Sequence, residues 1–91
     1  MAYVIQFTPG RMNSAQYDQA INALATAGAG APQGRLYHAC YGNADSLRVV
    51  DVWESMEQFE RFGAVLMPIL QKIGVDPGQP DINEAHNIII G

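Results

Sequence analysis

The sequence contains little cysteine and few imidazoles. Cys40 is the single cysteine among the 91 residues, so the chain cannot form an internal disulfide. A lone thiol without a disulfide framework fits a reducing compartment, and we therefore predict a cytoplasmic protein. His38, His86 and one carboxylate would be enough for a facial triad, but their spacing carries no metal-binding signature, so we predict no metal site.

Positive charge is also scarce. Five basic residues stand against nine acidic ones, which gives a formal net charge of −4. The basic residues are scattered singly along the chain, at Arg11, Arg35, Arg48, Arg61 and Lys72. Because a nucleic-acid-binding surface needs a basic stripe, this pattern argues against nucleic acid as a partner.

Long apolar runs and phosphate-binding loops are absent as well. No run of about 18 apolar residues occurs, so we expect neither a membrane span nor a membrane partner. Residues 1–7 have no basic segment followed by an apolar stretch and do not read as a signal peptide. No glycine-rich loop follows a predicted strand, so nucleotide binding has no support.

The first half of the chain predicts one strand and one helix. Residues 2–8 are rich in Tyr, Val, Ile and Phe, which predicts a strand that Pro9 and Gly10 end. Asn13 or Ser14 then offers a helix N-cap, and apolar residues follow at helical spacing. Gly28 is expected to end this helix.

The second half predicts a hairpin, a helix and a last strand. Residues 34–41 and 47–53 are separated by a short turn, so the two strands should pair antiparallel. Residues 55–58, Ser-Met-Glu-Gln, form a capping box at the start of the second helix. Pro68 falls inside that helix and predicts a kink or a break just before it. Residues 82–90 predict the final strand.

The element order β-α-β-β-α-β predicts an α+β, ferredoxin-like domain that spans residues 1–91. Right-handed crossovers place both helices on one face of a four-stranded antiparallel sheet. Both side-chain sets of the third strand are largely apolar, so the bare face also needs cover. We expect a second copy to supply that cover in a homodimer, with a small-molecule pocket between the two sheets.

Particular residues carry a family resemblance over nearly the whole chain. The chain resembles the dimeric α+β-barrel superfamily, in particular its small proteins similar to antibiotic-biosynthesis monooxygenases. The resemblance is carried by residues 34–39, 47–55, 59–62, 66–70 and 86–87, and the step Val52-Trp53-Glu54-Ser55 is common in that superfamily.

The resemblance implies a protein that binds a small molecule in a pocket. More specifically, it implies a cofactor-free monooxygenase that acts on an aromatic or enolisable substrate. In the monooxygenase branch a Trp and an Asn of the third strand lie in the pocket. Trp53 matches that Trp, whereas Val49 stands where the Asn would be. The alternative is a non-catalytic dimeric module that binds a ligand or has a structural role. The second helix has no histidine, which argues against haem degradation.

The hairpin register decides which residues could form a site. If Gly42 pairs with Leu47, His38 lies opposite Asp51 and Leu36 lies opposite Trp53, whereas a slip of one residue reverses the faces. We prefer this register because it keeps His38 and Asp51 away from the helices. The residues then expected beneath the helices are Tyr37, Ala39, Val50 and Val52.

In this register His38 is the candidate base and Asp51 the carboxylate that orients it. A structural hydrogen bond between the two is an equally open interpretation. Trp53 either stacks on a flat ligand or packs in the core. His86 either enters the pocket or lies in the dimer interface. We therefore expect Trp53, His86, Leu36 and Val49 to be the substrate-binding residues.

Overall fold

A computed structural model describes all residues from 1 to 91. Four strands and two helices follow one another in the predicted order. They are β1 (Tyr3–Phe7), α1 (Ser14–Thr26), β2 (Arg35–Asn43), β3 (Ser46–Trp53), α2 (Met56–Ile73) and β4 (Asp81–Glu84).

The strands form one antiparallel sheet in the order β2-β3-β1-β4. This is the ferredoxin-like α+β fold that the element order predicts. Gly42 pairs with Leu47 and His38 with Asp51, so the preferred hairpin register is confirmed. Ile5 of β1 lies opposite Asp51 on its other side, which puts Asp51 on a central strand.

Both helices begin at the predicted caps. Asn13 caps α1 in a reciprocal arrangement with Gln16, and Ser55 accepts a hydrogen bond from the Gln58 amide at the start of α2. Gly74 ends α2 in the left-handed conformation. The sequence predicts a kink or a break before Pro68. The helix continues through Pro68, so it does not break there. Neither helix is both long and apolar enough to cross a membrane.

The core lies between the helices and one face of the sheet, and it contains the opposite side-chain set from the one predicted. Trp53 and Ile5 are fully buried against Leu24 of α1 and Phe62 of α2. The placement of Tyr37, Ala39, Val50 and Val52 beneath the helices was therefore wrong. It rested on keeping His38 and Asp51 out of the interior, but the buried Asp51 carboxylate is satisfied by hydrogen bonds there.

The opposite face of the sheet has no helix in this chain. We call it the open face. Its side chains alternate with the buried set of each strand, and they include Val4, Gln6, Tyr37, Ala39, Tyr41, Val50 and Val52.

A bulge in β2 changes the pairing near Trp53. Arg35 lies opposite Trp53 and Tyr37 opposite Val52, so Leu36 is the extra residue. The predicted pairing of Leu36 with Trp53 is therefore wrong. Leu36 is 45% exposed, and Arg35 takes the position on the helix-covered face.

The last strand is shorter than predicted. β4 ends at Glu84 instead of continuing to Ile90, and one further backbone bond joins the Ala85 amide to the Ala2 carbonyl. Beyond that bond no strand of this chain lies beside residues 86–90, so they cannot extend the sheet. Ile89 and Ile90 are 81% and 76% exposed.

Candidate functional site

A cavity of about 300 Å³ lies between the helices and the sheet. Its wall is mostly apolar and comes from both helices, from β1 to β3 and from the loops that precede α1 and follow α2. The volume is at the lower end of the range for small-molecule sites. The lining includes Phe7, Met12, Ala20, Leu24, Val49, Phe59, Phe62, Gly63, Leu66, Leu70 and Pro77.

Four polar side chains interrupt this apolar wall: Tyr17, Arg35, His38 and Asp51. They come from α1, β2 and β3, which are separate in sequence and meet here because α1 crosses the sheet above the β2–β3 hairpin. A small number of polar groups that converge in an otherwise apolar pocket is typical of a ligand-binding or active site.

His38 and Asp51 form the centre of this polar cluster. The imidazole Nδ1 and the Asp51 Oδ1 are 2.5 Å apart across the paired strands. The Asp51 side chain is 5% exposed and that of His38 is 22% exposed. The carboxylate favours a proton on Nδ1, and this leaves Nε2 as the nitrogen that can accept a proton.

Tyr17 extends the cluster to α1. Its hydroxyl oxygen lies 2.7 Å from His38 Nε2, and the two rings are nearly parallel, at 4°. With Nδ1 protonated, the Tyr17 hydroxyl donates to Nε2. Burial raises the pKa of the Tyr17 phenol, and the neighbouring Cys40 raises it further, so the hydroxyl is neutral at physiological pH.

Trp53 completes the set of hydrogen bonds from the other side. Its indole N–H donates to the second Asp51 oxygen, Oδ2, over 3.3 Å. The indole ring packs edge-on against Phe59 and tilted against Phe62, with ring centroids 5.7 and 5.3 Å apart. Both carboxylate oxygens of Asp51 are therefore engaged, and the aromatic core holds one of the two donors in place.

Of the six residues predicted from the sequence, three line the cavity and three do not. His38, Asp51 and Val49 form part of its wall. Trp53 is fully buried and touches the site through Asp51. Leu36 is exposed at the bulge, and His86 is exposed beyond β4. No third His, Cys, Asp or Glu joins His38 and Asp51 in a metal-binding group.

Two lining residues, Tyr17 and Arg35, were not predicted as site residues. Tyr17 belongs to the apolar stripe of α1, where a tyrosine reads as packing, and only the crossing of α1 over β2 brings it to His38. Arg35 would face away from the helices in a regular strand, and nothing in the sequence marks the bulge. Gly34, immediately before Arg35, was the one available signal of an irregular backbone there.

Solved structures with the same fold include three informative cases. SnoaB, a cofactor-independent oxygenase from Streptomyces nogalater, is 17% identical, with a TM-score of 0.63 over 97% of this chain and 94% of that one. A candidate antibiotic biosynthesis monooxygenase from Chloroflexus aurantiacus is 14% identical, with a TM-score of 0.65 over the whole of both chains. Rv0793 from Mycobacterium tuberculosis is 12% identical, with a TM-score of 0.61 over 96% and 95% of the chains.

These similarities confirm the predicted resemblance at the level of the fold. The chain has the same α+β architecture as these three proteins. At such identities a shared fold does not carry a shared activity. No protein-family model and no curated protein matches the sequence.

Proposed function

We propose that the protein is a cofactor-free monooxygenase that binds an aromatic or enolisable substrate in the cavity between helices and sheet. The observation that carries the proposal is the hydrogen-bonded series Tyr17–His38–Asp51, which lines an otherwise apolar cavity. A base oriented by a carboxylate and placed in a small apolar pocket is the arrangement that proton abstraction requires.

The proton would pass through Tyr17. The Tyr17 hydroxyl oxygen accepts the substrate proton while its own proton passes to His38 Nε2, which lies 2.7 Å from that oxygen, so no free tyrosinate forms. His38 then carries two protons, and the adjacent Asp51 carboxylate stabilises the imidazolium. Asp51 can remain charged in the interior because both of its oxygens accept hydrogen bonds.

Dioxygen is the second substrate in this scheme. A carbanion formed at a CH₂ group next to the aromatic system bonds to O₂, and the resulting peroxide takes a proton to give a hydroperoxide. Loss of the second C–H proton breaks the O–O bond, which leaves a carbonyl group and water. One oxygen atom enters the product and the other enters water, and the substrate carbon supplies all the electrons.

Structural neighbours and cavity chemistry support the same proposal. SnoaB is described as a cofactor-independent oxygenase, and it shares the fold over almost the whole chain. The resemblance seen in the sequence points to the same class. The proposed cavity supplies a proton acceptor within a mostly apolar wall.

The test is oxygen uptake with an enolisable aromatic ketone, for which we choose 1,8-dihydroxyanthrone, with EDTA present to remove trace metals. The wild-type protein should accelerate uptake above the uncatalysed rate. His38→Ala should lower kcat by roughly 10²–10⁴-fold, the usual contribution of general acid–base catalysis. An unchanged rate in this variant would remove His38 from the mechanism.

A matched pair of carboxylate-to-amide variants controls for nonspecific effects of the substitution. Asp51→Asn should lose most of the activity, whereas Glu60→Gln, on the exposed side of α2, should retain it. Tight ligand binding by the wild-type protein without any oxygen uptake would instead indicate a non-catalytic binding module.

We also propose that the working form is a homodimer that packs the open faces of two sheets together. Val50 and Val52 are half-buried there without a helix above them, and Tyr37 is 53% exposed. Residues 86–90, of which the last three are isoleucines, have no strand partner in this chain. A second copy would cover the face and supply a partner for that segment.

A further inference from the structure

Arg35 reaches the cavity only because β2 contains a bulge. In a regular strand the residue two positions before His38 would share its face, and that residue is Leu36. The bulge places Arg35 opposite Trp53 instead, so a cation replaces an apolar side chain in the cavity wall. Bulges are frequent next to active sites, where they redirect a side chain.

The backbone before the bulge is adapted to this path. Gly34 has a φ of +94°, and a Cβ at this position would come within 2.3 Å of the Gln58 side chain. Its carbonyl accepts a hydrogen bond from the Glu54 amide over 2.8 Å. The contacts of Gly34 with Gln58 and Glu54 therefore fix the backbone conformation that turns Arg35 toward the cavity.

Arg35 has no anionic partner in the chain. One guanidinium nitrogen donates to the Gly30 carbonyl over 3.1 Å, and the group lies 5.8 Å from the centre of the Phe62 ring. The two ion pairs of the chain join other residues, and the nearby Asp51 has both oxygens engaged. A half-buried cation that lines an apolar cavity without a counter-charge is suited to an anionic ligand.

The charge of Arg35 also acts at the proposed reaction centre. Burial raises the pKa of Tyr17, and among its neighbours Arg35 is the one that opposes this rise. The same positive field favours any negative charge that develops beside the Tyr17 hydroxyl. The other titratable groups acting on Tyr17 are Cys40, Asp51 and Asp18, all of which act in the opposite direction.

We propose that Arg35 forms a subsite for an anionic oxygen, so that the ligand is an aromatic compound that carries or acquires an oxyanion. This inference rests on the proposed function and adds the substrate class to it. The oxyanion has two chemical sources: a carboxylate substituent already on the ring system, or the phenolate or enolate that proton loss creates. Asp51 would repel either, which makes the Arg35 charge necessary for tight binding.

The test compares 2-naphthoate with the neutral, similarly sized 2-naphthamide by isothermal titration calorimetry at pH 7. Wild type should bind the naphthoate about tenfold more tightly, as expected for one charge-assisted hydrogen bond. Arg35→Gln should lose this preference and still bind the amide, which shows that the cavity remains intact. The matched control is Arg48→Gln, because Arg48 lies over the Tyr41 ring on the open face, 5.0 Å from its centre.

Each outcome decides a different point. Equal binding of the two probes by wild type, or a preference that survives in Arg35→Gln, would overturn the Arg35 subsite and leave the proposed function standing. Binding of neither probe would overturn both, because the cavity would then hold no aromatic ligand. Loss of the preference in Arg48→Gln as well would assign it to overall charge and overturn the subsite.

A second titration distinguishes the two sources of the oxyanion. Bound 4-nitrophenol reports its ionisation by absorbance. If Arg35 stabilises a ring oxyanion, 4-nitrophenol bound to the wild-type protein ionises at a lower pH than free 4-nitrophenol. In Arg35→Gln this shift should be absent. A naphthoate preference without this shift assigns the subsite to a carboxylate substituent.

Discussion

Asp51 is the buried charge on which the candidate site depends. It is 3% exposed, and its two oxygens accept hydrogen bonds from His38 and Trp53. A buried carboxylate is tolerated only with such partners, and removing its acceptor capacity leaves a donor unsatisfied. Asp51 therefore links the stability of the fold to the geometry of the site.

Asp51→Asn tests this link. The amide nitrogen would face either the His38 Nδ1–H or the Trp53 N–H, so one donor loses its acceptor. We expect the free energy of unfolding to fall by about 1–3 kcal/mol in urea denaturation. Glu60→Gln, an exposed change of the same chemistry, should stay within about 0.5 kcal/mol of wild type. Equal stability of the two variants would show that the Asp51 hydrogen bonds contribute nothing.

Tyr17 gives the protein a predictable response to alkali. Its pKa is raised in the folded state, first by burial, so the unfolded chain releases this proton at a lower pH than the folded one. The stability that the neutral phenol contributes is complete below about pH 10 and is lost as the pH rises through the folded value. Tyr17→Phe should therefore lose less stability than wild type between pH 9 and pH 11.

The control for the alkaline experiment is Tyr37→Phe, which removes an exposed phenol from the open face. Comparison with this variant separates the loss of the Tyr17 phenol from the loss of any phenol. Urea midpoints at several pH values make the comparison. A Tyr17→Phe curve that runs parallel to wild type would contradict the raised pKa.

At the scale of single residues, the sequence predicts the His38–Asp51 pair but not the neighbouring site residues Tyr17 and Arg35. The short turn of the hairpin fixes the register, and the register fixes the pair. Tyr17 could not be assigned, because its contact with His38 depends on how α1 crosses the sheet. Arg35 could not be assigned either, because one extra residue in a strand leaves no clear trace in hydrophobic periodicity.

At the scale of elements, the start of β2 lies against the start of α2, next to the site. Gly34 occupies a left-handed conformation against Gln58, directly before the residue that turns into the cavity. A side chain here would be strained by the backbone and would also collide with α2. The β2 bulge and the start of α2 are therefore coupled.

Gly34→Ala and Gly63→Ala form a matched pair that tests the coupling. The first should lower the free energy of unfolding by about 1–3 kcal/mol, because the left-handed backbone disfavours alanine. Gly63 lies inside α2, where an added Cβ meets no atom within 4 Å. Its change to alanine should raise stability by about 0.5–1 kcal/mol. Urea denaturation measures both, and a neutral Gly34→Ala would contradict the account of this junction.

The ends of the helices and strands show which sequence signals were sufficient to predict them. Cap residues identified the starts of α1 and α2, because an N-cap hydrogen bond is local in sequence. The end of β4 was missed because residues 86–90 have strand composition but no neighbouring strand. A strand needs a partner, and composition alone does not reveal whether one is present.

The faces of the sheet show the same limit. Apolar side chains on both faces of β3 predicted that both faces need cover, but they did not tell which face the helices of this chain cover. The larger side chains, Trp53 and Ile5, lie on the helix-covered face. The polar pair lies there as well, because hydrogen bonds satisfy it.

At the scale of the whole molecule, the proposed homodimer makes the open face an interface. Val52→Lys would bury two unpaired cations there, so we expect the dissociation constant to rise by roughly a hundredfold or more. Val65→Lys, on α2 where Val65 is 38% exposed, is the matched control and should leave association unchanged. Sedimentation velocity over a range of concentrations measures both. A wild-type protein that is monomeric throughout would contradict the dimer.

The most direct test of the central claim is an NMR titration of the isotope-labelled protein with 2-naphthol, because it shows where a ligand binds. The claim is that the site lies between the helices and the sheet. We predict that the signals of Tyr17, His38 and Gly63 shift on binding, while those of Val50 and Val52 on the open face do not. Shifts confined to Val50 and Val52, or no shifts at all, would contradict the claim.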